Sequence, residues 1–283
     1  MIRLHPSAHS LVCSRPVAAT ITVLSQKGGT GKTTTVRTIA DAYRRNGLEV
    51  LCVDLDPQGN LSDYFDVPAD ASPTVADVLA GQARAADAIH DDVLPANLGL
   101  AEAEVILAGK MGRELTLKRA LRDVKRRYDL VIVDCPPSLG LLTVNALVAA
   151  DHALISSEAE YFSLQGVEQA LEVVELAKES LHPELDWLGV VLNIADMRLV
   201  HAREALRSLQ DRFGEKVFEA VIRRSVRYAE SAERGISILD YRPELGADYL
   251  ALAAEILERL GDFDDARERL VSASRSAAIA SSS

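Results

Sequence analysis

The sequence holds little that would staple it, anchor it or stack it on bases. Only three cysteines occur in 283 residues, Cys13, Cys52 and Cys135, and no two form a C-x-x-C pair. Neither a disulfide framework nor a zinc motif is therefore written into the chain. Cys52 and Cys135 sit in or next to apolar strand-like runs, the setting of buried thiols in a reducing cytoplasm. Aromatic residues make up 5% of the chain, and stacking on single-stranded nucleic acid is not indicated. No apolar run approaches the ~20 residues that span a bilayer. Met1 to Arg15 lacks the continuous apolar core of a signal peptide. Cations are outnumbered, with a net charge of -11, which would repel nucleic acid if the charge were spread evenly; its distribution matters more than its sum.

What remains is the composition of a globular protein, 48% hydrophobic and 26% charged, long enough to bury a sizeable core. Its most informative stretch is Gln26-Lys27-Gly28-Gly29-Thr30-Gly31-Lys32-Thr33-Thr34, which follows the apolar run Thr20 to Leu24 and leads into a helical pattern from Thr33 to Arg45. Glycines at 28, 29 and 31 let the backbone turn tightly and aim several N–H groups inward. The helix start behind them adds positive dipole, so the element is an anion cradle. Lys32 supplies a cation for the β- and γ-phosphates of a nucleotide, and the Thr33 hydroxyl is placed for Mg²⁺. Glycine-rich turns are common, but strand, glycines, Lys, Thr and helix in this order form a P-loop.

Strand-like runs alternate with helical patterns along the chain, which predicts an α/β fold with a mostly parallel, twisted sheet flanked by helices on both faces. Val50 to Asp54 is an apolar run ending in an acid, followed by Leu55-Asp56-Pro57-Gln58-Gly59-Asn60. Leu130 to Asp134 is a second such run, and a carboxylate closing it reads as a Walker B element that serves Mg²⁺. Functional residues of parallel sheets collect at the carboxyl ends of the strands, which puts Asp54, Asp56 and Asp134 on the P-loop's edge. Further strands are expected over 153–156 and 188–193, with a weak candidate at 98–100. Helices are expected from Pro73, over 112–128 with a solvated basic face, and over 164–180, 201–213 and 246–260. Residues 1–17 read as a flexible leader, 18–260 as one P-loop NTPase domain, and 261–283 as a disordered tail.

Several of these segments together resemble the ParA/Soj partition ATPases, the deviant Walker A group of the MinD/ParA superfamily. They are the P-loop with its additional Lys27, the run Asp54 to Asn60, Val133-Asp134-Cys135-Pro136-Pro137-Ser138-Leu139-Gly140, Glu160 to Gly166 and Val226-Arg227-Tyr228-Ala229-Glu230. The resemblance implies an ATP- and Mg²⁺-dependent ATPase whose nucleotide-bound form is a sandwich homodimer. In it Lys27 reaches the partner's phosphates, where a second cation neutralises charge on the transferred group. The resemblance assigns water positioning to Asp56, the metal side to Thr33, Asp54 and Asp134, and adenine reading to Asn193, whose amide both donates and accepts. One departure stands out: the family commonly has Pro where this chain has Arg223.

From Met197 to Arg227 the chain carries eight Lys/Arg and four Asp/Glu, a local net charge of +4. Phosphate contacts from such side chains supply most sequence-independent DNA affinity. The resemblance places non-specific duplex binding at Arg198 and Arg227, with Arg224 between them, and implies a ParB-like centromere-binding partner and a cytoplasmic, nucleoid-associated location. Two other readings share the P-loop. A MinD-like regulator would attach to membranes by a basic amphipathic C-terminal helix, but the chain runs Gly261-Asp262-Phe263-Asp264-Asp265 there, so no stable membrane association is expected. An iron–sulfur reductase of the nitrogenase type would need two exposed thiolates near the interface, and the cysteines lie elsewhere.

Overall fold

The computed structural model describes residues 18–160 and 162–280; the expected leader over 1–17 lies outside them. Seven strands form one all-parallel sheet: β1 (Ala19–Leu24), β2 (Val50–Asp54), β3 (Val93–Leu94), β4 (Leu130–Asp134), β5 (His152–Glu158), β6 (Asp186–Ala195) and β7 (Val217–Arg223), in the order β3-β2-β4-β1-β5-β6-β7. β2 and β4 are buried at every residue, as strands covered on both faces require. The first half of the connections carries α1 (Lys32–Arg45), α2 (Asn60–Tyr64), α3 (Val75–Ala80), α4 (Ala85–Ala88), α5 (Gly99–Ala108) and α6 (Thr116–Leu121). The second carries α7 (Leu141–Ala149), α8 (Ser163–Ser180), α9 (Val200–Phe213), α10 (Arg227–Glu233), α11 (Ile238–Tyr241), α12 (Pro243–Leu260) and α13 (Asp264–Ala280). Two apolar clusters lie against the two faces of the sheet, one including Val36, Ile39, Tyr43 and Tyr249, the other Leu117, Leu142, Val167 and Val174.

The chain runs to one side of β1 through β2, β3 and β4 and to the other through β5, β6 and β7, so β1 lies at the switch point where α/β sheets bind ligands. The β2/β4 register sets Asp54 opposite Asp134, and the β1/β4 register sets Val23 opposite Asp134. Three strand ends thus deliver two carboxylates and the P-loop to one edge.

Three expectations are corrected. Residues 98–100 open α5 instead of forming a strand, with Leu100 buried in its first turn; a short apolar run does not distinguish the two. The helix expected over 112–128 is broken into 3₁₀ turns at 113–115 and 125–127 around α6. Its basic face is not simply solvated: Lys118 contacts His182 at 3.3 Å, and Lys125 reaches Ala149 O and Asp151. The tail expected to be disordered from 261 onward is helical over Asp264–Ala280, packed by Ala266 and Leu270 against the cluster that holds α12. Asp264 and Asp265 fall in its first turn, where negative charge favours the helix dipole, so the acids that suggested disorder start a helix instead.

Candidate functional site

The P-loop closes on itself before any ligand is considered. Ser25 Oγ donates to Lys27 O at 2.7 Å and accepts from Thr30 Oγ1 and Lys32 Nζ, both at 2.9 Å. Lys32 Nζ also donates to Lys27 O at 3.1 Å. Burial lowers the affinity of the Lys32 ammonium for its proton, and the Asp134 carboxylate works against that shift. Gly29 and Gly31 sit at φ +78° and +82°, so glycine is demanded there by conformation, and a Cβ on Gly31 would reach contact with the Asn193 side chain at 3.4 Å.

The expected metal side divides into two roles. Thr33 Oγ1 donates to Asp134 Oδ2 at 2.6 Å, while Asp134 Oδ1 is buried with no hydrogen-bond partner. Burial first, and then the Asp54 charge, push the Asp134 carboxyl well above the usual range. A buried carboxylate oxygen left unpaired is costly, and beside a P-loop threonine it suits a hydrated magnesium ion. Asp54 is instead occupied: it accepts from Asp56 N and Ser62 N at 3.0 Å each and from Ser62 Oγ at 2.8 Å. Burial raises its carboxyl to about 6. Asp54 therefore holds the turn that carries Asp56 and adds charge behind Asp134.

Asp56 lines a cavity of about 580 Å³ with Gly28, Gly29, Gly31, Lys32, Thr33 and Thr34, a size that suits a nucleotide. The cavity runs on past Asn193 to Ile222, Arg223, Arg224, Ser225 and Tyr228. Asn193 is fully buried, its Nδ2 donating to Ser156 Oγ at 2.6 Å and Thr35 Oγ1 at 3.2 Å, with Oδ1 unpaired. Its free capacity is that one acceptor oxygen. Thr30 turns its hydroxyl to Ser25 and its carbonyl to Ser156 Oγ at 2.8 Å, so only its backbone N–H is left for a ligand. Lys27 is not a lining residue of this cavity; its Nζ lies 3.7 Å from Glu160 Oε2 with both side chains half exposed. A larger, more open groove of about 1220 Å³ beside β7, α12 and α13 contains no P-loop residue and carries none of this chemistry.

The candidate DNA arginines follow the ends of β6 and β7 in the chain. Arg224 N donates to Ala195 O, which brings Arg224 beside Asp196, while Arg198 forks onto Asp196 at 2.7 and 2.8 Å. Those bonds hold the Asp196 carboxyl down to about 2. Arg227 pairs with Glu230 through Nη1 alone, which donates to both carboxylate oxygens at 2.6 and 2.8 Å. The +4 count for the segment overstates its free charge, because Arg198, Arg212, Lys216, Arg223 and Arg227 pair with Asp196, Glu168, Asp186, Asp248 and Glu230. All five acids lie outside the counted window. Arg223 also donates its backbone N–H to Asp248 at 3.2 Å, a bond that proline could not make.

Sequence reading missed Ser25 and Ser156, which brace the P-loop, Ser62, which holds Asp54, and Arg37, a cavity-lining side chain on α1. Serine next to a motif carries no distinguishing pattern, and Arg37 stands in a helical run like any surface cation.

Comparison with known proteins agrees with this geometry. A family model described as an AAA domain matches residues 18–187. The chain is 41% identical over 245 residues to the sporulation initiation inhibitor protein Soj of Bacillus subtilis, covering 83% of this chain and 97% of that one. It is 36% identical over 252 residues to the chromosome partitioning protein ParA of Myxococcus xanthus, covering 86% and 89%. Among solved structures it resembles cobyrinic acid a,c-diamide synthase from Mycobacterium smegmatis with bound ATP analogue and magnesium, at 37% identity and TM-score 0.70 over 77% of this chain and 93% of that one. It also resembles the septum site-determining protein MinD of Pyrococcus horikoshii complexed with Mg-ADP, at 27% identity and TM-score 0.70 over 86% and 98%.

Proposed function

The chain belongs to the AAA domain family matched over 18–187, within the ParA/Soj group of the MinD/ParA superfamily, and on that premise we propose that it is an ATP-switched DNA-segregation ATPase. In this reading ATP joins two copies face to face, and the pair holds duplex DNA without sequence preference through Arg198, Arg224 and Arg227. A ParB-like centromere-binding partner accelerates hydrolysis and releases the DNA, so the protein works on the nucleoid in the cytoplasm. The observation that carries the proposal is the identity to Soj along nearly the whole of that protein.

The residues divide the work as follows. Backbone N–H groups of Gly28 to Thr33 and the Lys32 ammonium cradle the phosphates. Thr33 and Asp134 would hold Mg²⁺, which when bound neutralises charge between the β- and γ-phosphates. Asp56, held by Asp54 through its turn, orients the attacking water. Lys27, free of its own cavity, reaches the partner's phosphates once its contact with Glu160 is given up. Asn193 Oδ1 and the backbone of 222–225 face the base. Arg198 and Arg227 exchange Asp196 and Glu230 for DNA phosphates, and two patches per dimer make binding depend on ATP through avidity.

DNA retention measured with no nucleotide, with ADP and with a slowly hydrolysed ATP analogue tests the proposal. Binding only with the analogue supports it, and equal binding in all three states refutes it. A MinD-like membrane regulator is the second reading, favoured by the MinD neighbour. Against it, α13 spends Ala266 and Leu270 on the core and opens with Asp264 and Asp265. Co-sedimentation with anionic liposomes in the presence of ATP separates the two.

A further inference from the structure

Arg37 is the charged residue of this site that none of these roles uses. It lies on α1 one turn beyond Thr33 and Thr34 and is 5% exposed. Its Nη2 donates to Tyr228 O at 2.8 Å and lies 3.4 Å from Ser231 Oγ. Its Cζ stands 4.4 Å from the Tyr64 ring centroid. Nε is buried with no hydrogen-bond partner. The titratable neighbours that act on it are Tyr64 and Tyr249, not a carboxylate, and burial pulls its pKa down. A buried charge without a counter-charge is an expensive arrangement. This one lines the same cavity as the P-loop.

The partners of Arg37 point in a definite direction. Tyr228 and Ser231 belong to α10, the helix that Arg227 opens. Ser231 is fully buried and donates to Tyr228 O at 2.9 Å, so the guanidinium completes a three-membered knot inside α10. Tyr228 meets Tyr249 of α12 edge to face at 5.6 Å. α10 buries only Ser231 and is also tied to α11 and α12, with Tyr228 Oη donating to Leu245 O at 3.4 Å and Tyr241 Oη donating to Glu230 at 2.9 Å. Arg37 is the side chain that ties it to the P-loop helix.

We propose that Arg37 is a positioning residue that links occupancy of the nucleotide cavity to the placement of α10, and through it to Arg227. The inference rests on the nucleotide reading of the cavity. An anion entering it supplies the counter-charge that the protein does not, which stabilises the buried guanidinium in the geometry that holds Tyr228 O and Ser231. The nucleotide thereby fixes α10 by charge, in addition to any direct contact with Tyr228, Ala229 and Ala232, which line the same cavity. The link is reciprocal: whatever fixes α10 from outside also tightens nucleotide binding.

Hydrogen exchange of the full-length protein with and without magnesium and a slowly hydrolysed ATP analogue tests this link, with the amides of Tyr228 to Glu233 as the reporter. In the wild type, saturating analogue should raise protection in α10 about fivefold or more, the lower range of allosteric couplings, together with protection of residues 25–35. In Arg37→Met the P-loop response should persist and at least half of the α10 response should disappear. An α10 response equal in the variant and the wild type overturns the proposal. So does a wild-type α10 that stays unchanged while its P-loop becomes protected. Absence of P-loop protection in the wild type sinks the nucleotide reading itself, and this proposal with it. If Arg37→Met does not fold, Arg37→Lys keeps the charge but loses the planar guanidinium that lies over Tyr64 and reaches Tyr228 O, and at least half of the α10 response should disappear; its full retention counts against the link.

Discussion

Asp134→Asn should shift stability in opposite directions in the nucleotide-free and nucleotide-loaded protein. The carboxylate is fully buried beside Asp54, with one oxygen on Thr33 and the other unpartnered. Replacing it by a neutral amide of the same shape leaves a polar atom in the unpartnered place but removes the buried negative charge beside Asp54, worth about 1–3 kcal/mol. Against that stand a weaker Thr33 bond and a Lys32 ammonium that loses its nearest counter-charge, together about 1 kcal/mol. The nucleotide-free variant should therefore be level with the wild type or up to about 2 kcal/mol more stable. For a chain of this size 1 kcal/mol moves Tm by about 2–4 °C, so the largest expected rise is near 8 °C. The loaded state reverses the order. At ligand concentrations of about 100 Kd the wild type gains about 2.7 kcal/mol from binding, and a variant that cannot help hold Mg²⁺ should keep little of it. Differential scanning fluorimetry with and without magnesium and a slowly hydrolysed ATP analogue reads both numbers. The reasoning fails if nucleotide-free Asp134→Asn melts several degrees below the wild type, or if it retains the full nucleotide increment.

Asp56→Ala should bind the analogue and dimerise normally but lose about 10²–10⁴-fold in turnover, the usual worth of a group that orients or deprotonates a nucleophile; steady-state phosphate release against analytical ultracentrifugation checks the split. Arg227→Glu should abolish DNA retention in a low-salt gel shift while leaving nucleotide affinity unchanged. If only its phosphate contact matters, Arg227→Ala should lower the slope of log K against log salt by about 0.9 for each site. Leu270→Ala should destabilise the protein by about 2–5 kcal/mol, the usual cost of a buried leucine, measured by chemical denaturation. A change under 0.5 kcal/mol would mean that the helix over 264–280 is not part of the cooperative fold.

What could be read from the amino-acid order was whatever one local pattern determines. The P-loop needs glycines at fixed offsets between a strand and a helix, and β1, α1 and the loop stand where the pattern put them. The runs ending in Asp54 and Asp134 are strands of an all-parallel sheet, because continuous apolar character over five residues leaves a doubly covered strand few alternatives. Expectations failed where the deciding partner is remote in sequence. The triplet at 98–100 becomes helical in a segment packed on α3 and α7, and the end of the chain is ordered by the α12 face that receives Ala266 and Leu270. Asp54 looked interchangeable with Asp134, since both close an apolar strand. Only the position of Ser62, eight residues on, makes one carboxylate a brace and leaves the other with an open oxygen.

Charge was the least legible quantity, for a definable reason. A window along the chain counts Arg198 and Arg227 as free, yet each already holds an acid one to three residues beyond the window's edge. Their value to DNA is thus a difference between two ion pairs, one internal and one intermolecular, and exposed pairs of the internal kind are worth little. A polyanion that offers several phosphates at once, and releases counterions in doing so, can win that exchange where a single carboxylate cannot. The same comparison predicts that the exchange is steeply salt-dependent. On the proposed function it also accounts for an acidic chain that binds DNA: Asp196 and Glu230 would keep the arginines neutralised until a denser line of negative charge displaced them.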